Sequence, residues 1–230
     1  MRNGKRASTE DSANSDATLA ANLATRPGEI SLSSNPRNTT AVAHLVGRAE
    51  REARNGHRGA VLWLAGLSGA GKSTLAMRAE RLLHDRGRLA YVLDGDNVRR
   101  GLSSDLGFSV AERDENLRRV AELAALFAEA GFIVISAFIS PLAKERAFAR
   151  SRFPNFHEVY VRASLEACER RDPKGLYARA RRHEIPDFTG ISSPFEAPAA
   201  PELVIDTEAL DAERACARLV DYIEQRSRLG

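Results

Sequence analysis

The sequence predicts an α/β fold in which a parallel sheet of about five strands carries helices on both faces. Three observations predict it. Five short runs, at 60–65, 89–94, 132–138, 156–161 and 203–205, are mostly apolar, the first of them without a break. Helical stretches near 72–86, 114–130, 141–151, 164–172 and 211–226 separate or follow them. A glycine-rich loop joins the first run to the first of these helices. Strands apolar on both sides are buried on both sides, and parallel neighbours need crossovers, which the intervening helices supply. No fixed-period repeat and no second core are seen.

The chain has 230 residues. Its first 40 are rich in Ser, Thr, Asn and Ala, carry charges of both signs and lack apolar periodicity, so 1–40 reads as a disordered N-terminal extension. A transit peptide is the rival reading there, opposed by Glu10, Asp11 and Asp16, because such peptides are poor in acids. Residues 41–56 read as a linker helix, closed by Gly56 and Gly59, and 57–230 as one domain.

Charge and cysteine usage exclude several classes. With 34 basic and 31 acidic side chains the net charge is +3, too small an excess for a nucleic-acid footprint. No apolar run approaches the roughly 18 residues of a membrane helix. Cys168 and Cys216 stand apart without metal-ligand or disulfide spacing, which fits a reducing, cytoplasmic setting.

The loop after the first strand is Gly66-Leu67-Ser68-Gly69-Ala70-Gly71-Lys72-Ser73, a GxxxxGK[ST] phosphate loop in its strand-to-helix context. Main-chain amides of Gly66, Ser68, Gly69, Ala70 and Gly71 are expected to face phosphate oxygens, aided by the positive end of the helix that follows. Lys72 is expected on the β- and γ-phosphates of ATP, Ser73 on Mg²⁺ and Thr74 on the α-phosphate. The second strand delivers Asp94-Gly95-Asp96-Asn97 to the same sheet edge. Two carboxylates beside a Mg-nucleotide suit metal support by Asp94 and hydroxyl activation by Asp96. An NKxD guanine-reading tetrapeptide is missing, and the DxxG match Asp187-Phe188-Thr189-Gly190 follows no strand, which disfavours a GTPase. These residues alone describe a small P-loop kinase. They leave open another hydroxylated acceptor, or a nucleotide-binding regulatory subunit without turnover.

The sequence further resembles the adenylylsulfate (APS) kinase family from about His57 to Thr207. The resemblance rests on GLSGAGKST, LDGDNVRRGLSSDLGFS, ERDENLRR, AFISP, CERRDPKGLY, EIPDFTGI and FEAPAAPELVID in the family's order and spacing. It implies phosphorylation of the 3′-hydroxyl of adenosine 5′-phosphosulfate by ATP in sulfate activation. It also implies an acceptor pocket of Asp96, Asn97, Val98, Arg99, Phe108, Arg113, Asn116, Ile139, Ser140, Lys174 and Phe188. Phe108 and Phe188 would sandwich the adenine while Arg99 and Arg113 hold the anions.

The basic stretch 170–182 resembles the family's lid, with Lys174 against the phosphates and Arg170 on the nucleotide. The implied catalytic set is Lys72, Asp96, Ser140 and Lys174. Ser140 is described in the family as a phosphoserine intermediate, but in-line transfer with Ser140 as a substrate hydrogen-bonder needs one step fewer. The resemblance further admits a homodimer and association with a sulfate adenylyltransferase. The chain departs from the family pattern at Arg182-His183, Ser192, Phe195 and Leu142, which bears on APS affinity more than on reaction type.

Overall fold

The computed structural model describes Thr40 and residues 42–229. The chain divides into two units, Met1–His44 and Leu45–Gly230. The described part of the first, Thr40 and 42–44, holds neither helix nor strand, and the expected extension otherwise lies outside the described residues. The second unit opens with α1, Arg48–Asn55. The linker helix expected over 41–56 is thus confined to its second half. Leu45 is 91% exposed and Val46 48%, so a preceding turn has no apolar surface to pack on, and Gly47 is extended at the N-cap.

The five strands are β1 (Ala60–Ala65), β2 (Ala90–Asp94), β3 (Ile133–Ala137), β4 (Phe156–Arg162) and β5 (Leu203–Asp206). They form one sheet in the order β2-β3-β1-β4-β5, every pair parallel. The helices are α2 (Lys72–Asp85), α3 (Gly95–Arg99), α4 (Val110–Glu129), α5 (Ala143–Ser151), α6 (Leu165–Arg171), α7 (Leu176–Arg181) and α8 (Ala212–Arg226). All six residues of β1 are buried. Leu62 and Leu64 join a core with Leu75 and Leu83 of α2 and Leu219 and Ile223 of α8. Val61 and Trp63 point the other way, into a core with Leu117, Val120 and Ala124 of α4 and with Phe153. This two-sided burial is why β1 reads as an unbroken apolar run. Each large aliphatic or aromatic side chain so buried contributes about 1.5–3 kcal/mol against the entropy of ordering the chain.

Two short helices, α3 and α7, lie where the sequence predicts only turn or lid, because five or six residues hold too little periodicity to show. Helix α4 begins four residues before its expected start. Ser109 caps it, its hydroxyl accepting from Glu112 N while Glu112 accepts from Ser109 N at 3.1 Å. Among the described residues, no helix is long and apolar enough to cross a membrane.

From the central β1 the chain runs first to β2 and β3 on one side, then to β4 and β5 on the other. A crevice therefore opens at the carboxyl ends of β1, β3 and β4, the ligand position of open α/β sheets.

Candidate active site

The phosphate loop leaves β1 at this crevice. Gly66 is needed there because a Cβ would sit 2.4 Å from Val161 O of the adjacent strand. Gly69 has φ 74° beside the Cys168 carbonyl. Helix α2 begins at Lys72 with Gly71 as N-cap and no side-chain cap, so its first amides stay available to an anion. Lys72 Nζ donates to Gly66 O (2.8 Å) and Leu67 O (2.7 Å), which leaves its third hydrogen for a ligand. Burial pushes this ammonium down to about 8, against the pull of the nearby Asp94 carboxylate.

Ser73 Oγ donates to Asp94 Oδ2 at 2.6 Å, joining the first turn of α2 to the end of β2. The other Asp94 oxygen accepts from Asp96 N at 3.0 Å and caps α3. That short helix turns Asp96 outward, 63% exposed by side chain, where it forms an ion pair with Lys174 from the α6–α7 segment. Thr74, on the next residue of α2, is exposed. Asn97 follows Asp96 on α3, and Val98 is buried beneath it.

The Arg99 guanidinium lies over the Phe108 ring, 4.4 Å from its centroid, and donates to Gly107 O at 2.7 Å. Phe108 is 72% exposed. Arg113 Nη1 donates to Asp187 O at 2.8 Å, tying α4 to the residue before Phe188. Phe188 itself is buried, edge-on to Tyr177 at 5.0 Å, so its ring is packed into the core while Phe108 faces solvent. Asn116 is buried on α4, and its Oδ1 has no hydrogen-bond partner among the described residues.

Beyond β3, Ile139 O accepts from Gly66 N at 3.3 Å. Ser140 follows in a left-handed conformation, φ 44°, with 1% exposure. Its hydroxyl accepts from Trp63 Nε1 at 2.9 Å, and its carbonyl from Arg146 Nη1 at 2.8 Å. Arg146 is itself buried against Glu158 at 2.6 Å. Next to it on α5, Glu145 is pushed up to about 7 by burial, reinforced by the neighbouring Asp114 carboxylate.

The structure therefore brings Lys72, Ser73, Asp94, Asp96 and Lys174 together, with Ser140 at the adjoining strand end. At the lid base, the Arg171 side chain reaches the phosphate loop. Its guanidinium donates to Gly69 O (3.4 Å) and to Thr207 Oγ1 (2.9 Å). Sequence reasoning also passed over Trp63, Arg146, Tyr177 and Thr207. Trp63 stands in an otherwise aliphatic strand, where an indole N–H needs a buried acceptor, and that was the available signal.

A family model described as Adenylylsulphate kinase matches residues 58–206. A protein of Geotalea uraniireducens strain Rf4 named adenylyl-sulfate kinase is 53% identical over 185 residues, 80% of this chain and 89% of that one. A protein of the same name from Shewanella sp. strain MR-7 is 57% identical over 182 residues, 78% of this chain and 89% of that one. Among solved structures, the Mycobacterium tuberculosis APS kinase CysC in complex with AMPPNP and APS is 50% identical with a TM-score of 0.69, covering 73% of this chain and 98% of that one.

Proposed function

Since the chain belongs to the adenylylsulphate kinase family, we infer that it transfers the γ-phosphoryl group of ATP to the 3′-hydroxyl of adenosine 5′-phosphosulfate, giving 3′-phosphoadenylyl sulfate and ADP. The observation that carries the reading is the convergence of an intact phosphate loop with Asp94, Asp96 and Lys174 at one sheet edge.

In this reading the loop amides and Lys72 hold the β- and γ-phosphates. Oxygen O3′ forms a bond to the γ-phosphorus as the bond to the β–γ bridging oxygen breaks. ADP leaves with that electron pair, and the hydroxyl proton passes to Asp96. Lys174, already beside Asp96, places a second cation near the transferring group. Arg99, Phe108, Arg113, Asn97, Val98, Asn116, Ile139 and Phe188 bound the acceptor side, with Phe108 offering an open aromatic face. Ser140 bonds or orients the acceptor. Its burial and its bond from Trp63 favour direct transfer over a phosphoserine carrier, which would require a dianion in that enclosed position.

Ser73 and Asp94 supply a hydroxyl and a carboxylate, the hard oxygen donors that Mg²⁺ takes when substrate phosphates complete its shell. Such an ion, held by Ser73 and Asp94, would neutralise charge building on the transferring phosphate. Arg170, at the lid base, belongs to the nucleotide side of this reading, together with Thr74. A homodimer, an associated sulfate adenylyltransferase as source of the acceptor, and a cytoplasmic setting suited to two buried free thiols complete it.

Purified protein given Mg-ATP and a panel of alcohols tests the reading by ADP release. Release dependent on adenosine 5′-phosphosulfate supports it. Transfer to another alcohol with none to adenosine phosphosulfate overturns the substrate, and ADP release without any acceptor overturns the kinase.

A further inference from the structure

The outer side of the phosphate loop carries a second arrangement of side chains. Five successive carbonyls, from Gly66 to Ala70, each meet a side-chain donor. Lys72 serves Gly66 O and Leu67 O from within. From outside, Tyr177 Oη donates to Ser68 O at 2.9 Å and Arg171 Nη1 to Gly69 O at 3.4 Å. Thr207 Oγ1 donates to Ala70 O at 3.0 Å while accepting from Arg171 Nη1 at 2.9 Å.

A trans peptide unit points its carbonyl and the next residue's N–H in opposite directions. Fixing the carbonyls of Ser68, Gly69 and Ala70 outward therefore fixes the N–H groups of Gly69, Ala70 and Gly71 toward the inside of the loop. Ala70 N is used within the loop by Leu67 O at 3.2 Å. Those of Gly69 and Gly71 remain for a phosphate.

We propose that Tyr177 and Thr207, the latter held by Arg171, are positioning residues that hold the phosphate loop in its nucleotide-binding orientation through its carbonyls, and that through Tyr177 the lid and the loop are set together. The proposal rests on reading this loop as the nucleotide site. Two of the donors belong to the segment read as the lid: Arg171 ends α6, and Tyr177 lies in the first turn of α7. That turn is itself fixed, because Asp172 accepts from Tyr177 N and Ala178 N, both at 3.1 Å. The Tyr177 side chain is buried against Phe188, so its hydroxyl has one direction to point. Thr207 follows β5 and receives its own backbone anchor, its N–H donating to Arg162 O at 3.0 Å. The loop thus enters the encounter with nucleotide already shaped, which lowers the ordering cost of binding.

Titration calorimetry with Mg-ADP, no acceptor present, tests this on the full chain. Tyr177→Phe removes one oxygen and Thr207→Val replaces a hydroxyl by a methyl of equal size. Each is expected to weaken ADP about 3- to 10-fold, the range one neutral hydrogen bond carries. Thr207→Ser, which keeps the donor, is expected to restore binding. In turnover the KM for ATP rises in both variants while the KM for the acceptor stays within about twofold. Unchanged ADP affinity in Tyr177→Phe and Thr207→Val, with or without a lower melting temperature, overturns the proposal, as does equal weakening by Thr207→Ser. Because ADP binding is read without acceptor, a wrong acceptor assignment leaves this result standing.

Discussion

Lys174 forms an ion pair with Asp96 across 78 positions of sequence, one from the segment read as the lid and one from the short helix α3 after β2. Both side chains are more than half exposed, so the contact adds little to stability and its consequence is functional. Asp96→Asn keeps the shape and removes the proton acceptor. Turnover is expected to fall about 10²- to 10⁴-fold while ADP binding stays within about threefold. Near-normal turnover in the folded variant would remove Asp96 from the chemistry.

Lys72 carries a pH dependence as well as a charge. Its ammonium is lowered by burial to about 8, so the cation is present below that pH and lost above it. In the free enzyme, kcat/KM for ATP is therefore expected to decline on the alkaline side of about 8. Lys72→Ala abolishes that limb and costs about 10²–10³ in kcat, the scale of removing one transition-state donor. A limb that survives in the variant belongs to another group.

Ser140 offers a direct test of the transfer route. With chiral γ-phosphate, a single turnover is expected to invert configuration at phosphorus, as one in-line displacement requires. Retention means two displacements and a covalent carrier.

Two buried or half-buried imidazoles give the fold a stability dependence on the acid side. His57 Nε2 accepts from Leu89 N at 3.0 Å with Nδ1 on Arg58 O, and His157 lies between Asn155 Oδ1 and Tyr222 Oη. Burial lowers both below the ordinary 6.5. The unfolded chain thus binds these protons first as pH falls. The contribution is complete above pH 6.5 and lost progressively below it, toward each lowered folded value. The melting temperature is expected to drop between pH 7.5 and 5.5, and the double variant His57→Asn, His157→Asn to show a shallower slope. An equal slope assigns the acid sensitivity elsewhere.

Arg146 holds the Ser140 carbonyl and balances Glu158 in a buried pair. Arg146→Met leaves Glu158 without that partner, and denaturant unfolding is expected to show a loss of about 3–5 kcal/mol. A loss below about 1 kcal/mol would mean that water or Arg150 replaces it.

The strands, their burial, the phosphate loop and the carboxylates after β2 were readable from the sequence because each depends on neighbours a few residues away. Apolar runs report burial, glycines report a backbone that must turn or approach closely, and a motif reports its own loop. Partnerships across the fold have no such local record. Tyr177 meets Ser68 over 109 positions and Thr207 meets Ala70 over 137, distances that topology alone closes. Arg171 likewise meets Gly69 over 102 positions. The unbroken apolar run of β1 announces that Trp63 is buried. That its indole meets Ser140 follows only once β3 lies beside β1 in parallel, with Trp63 opposite Ser136.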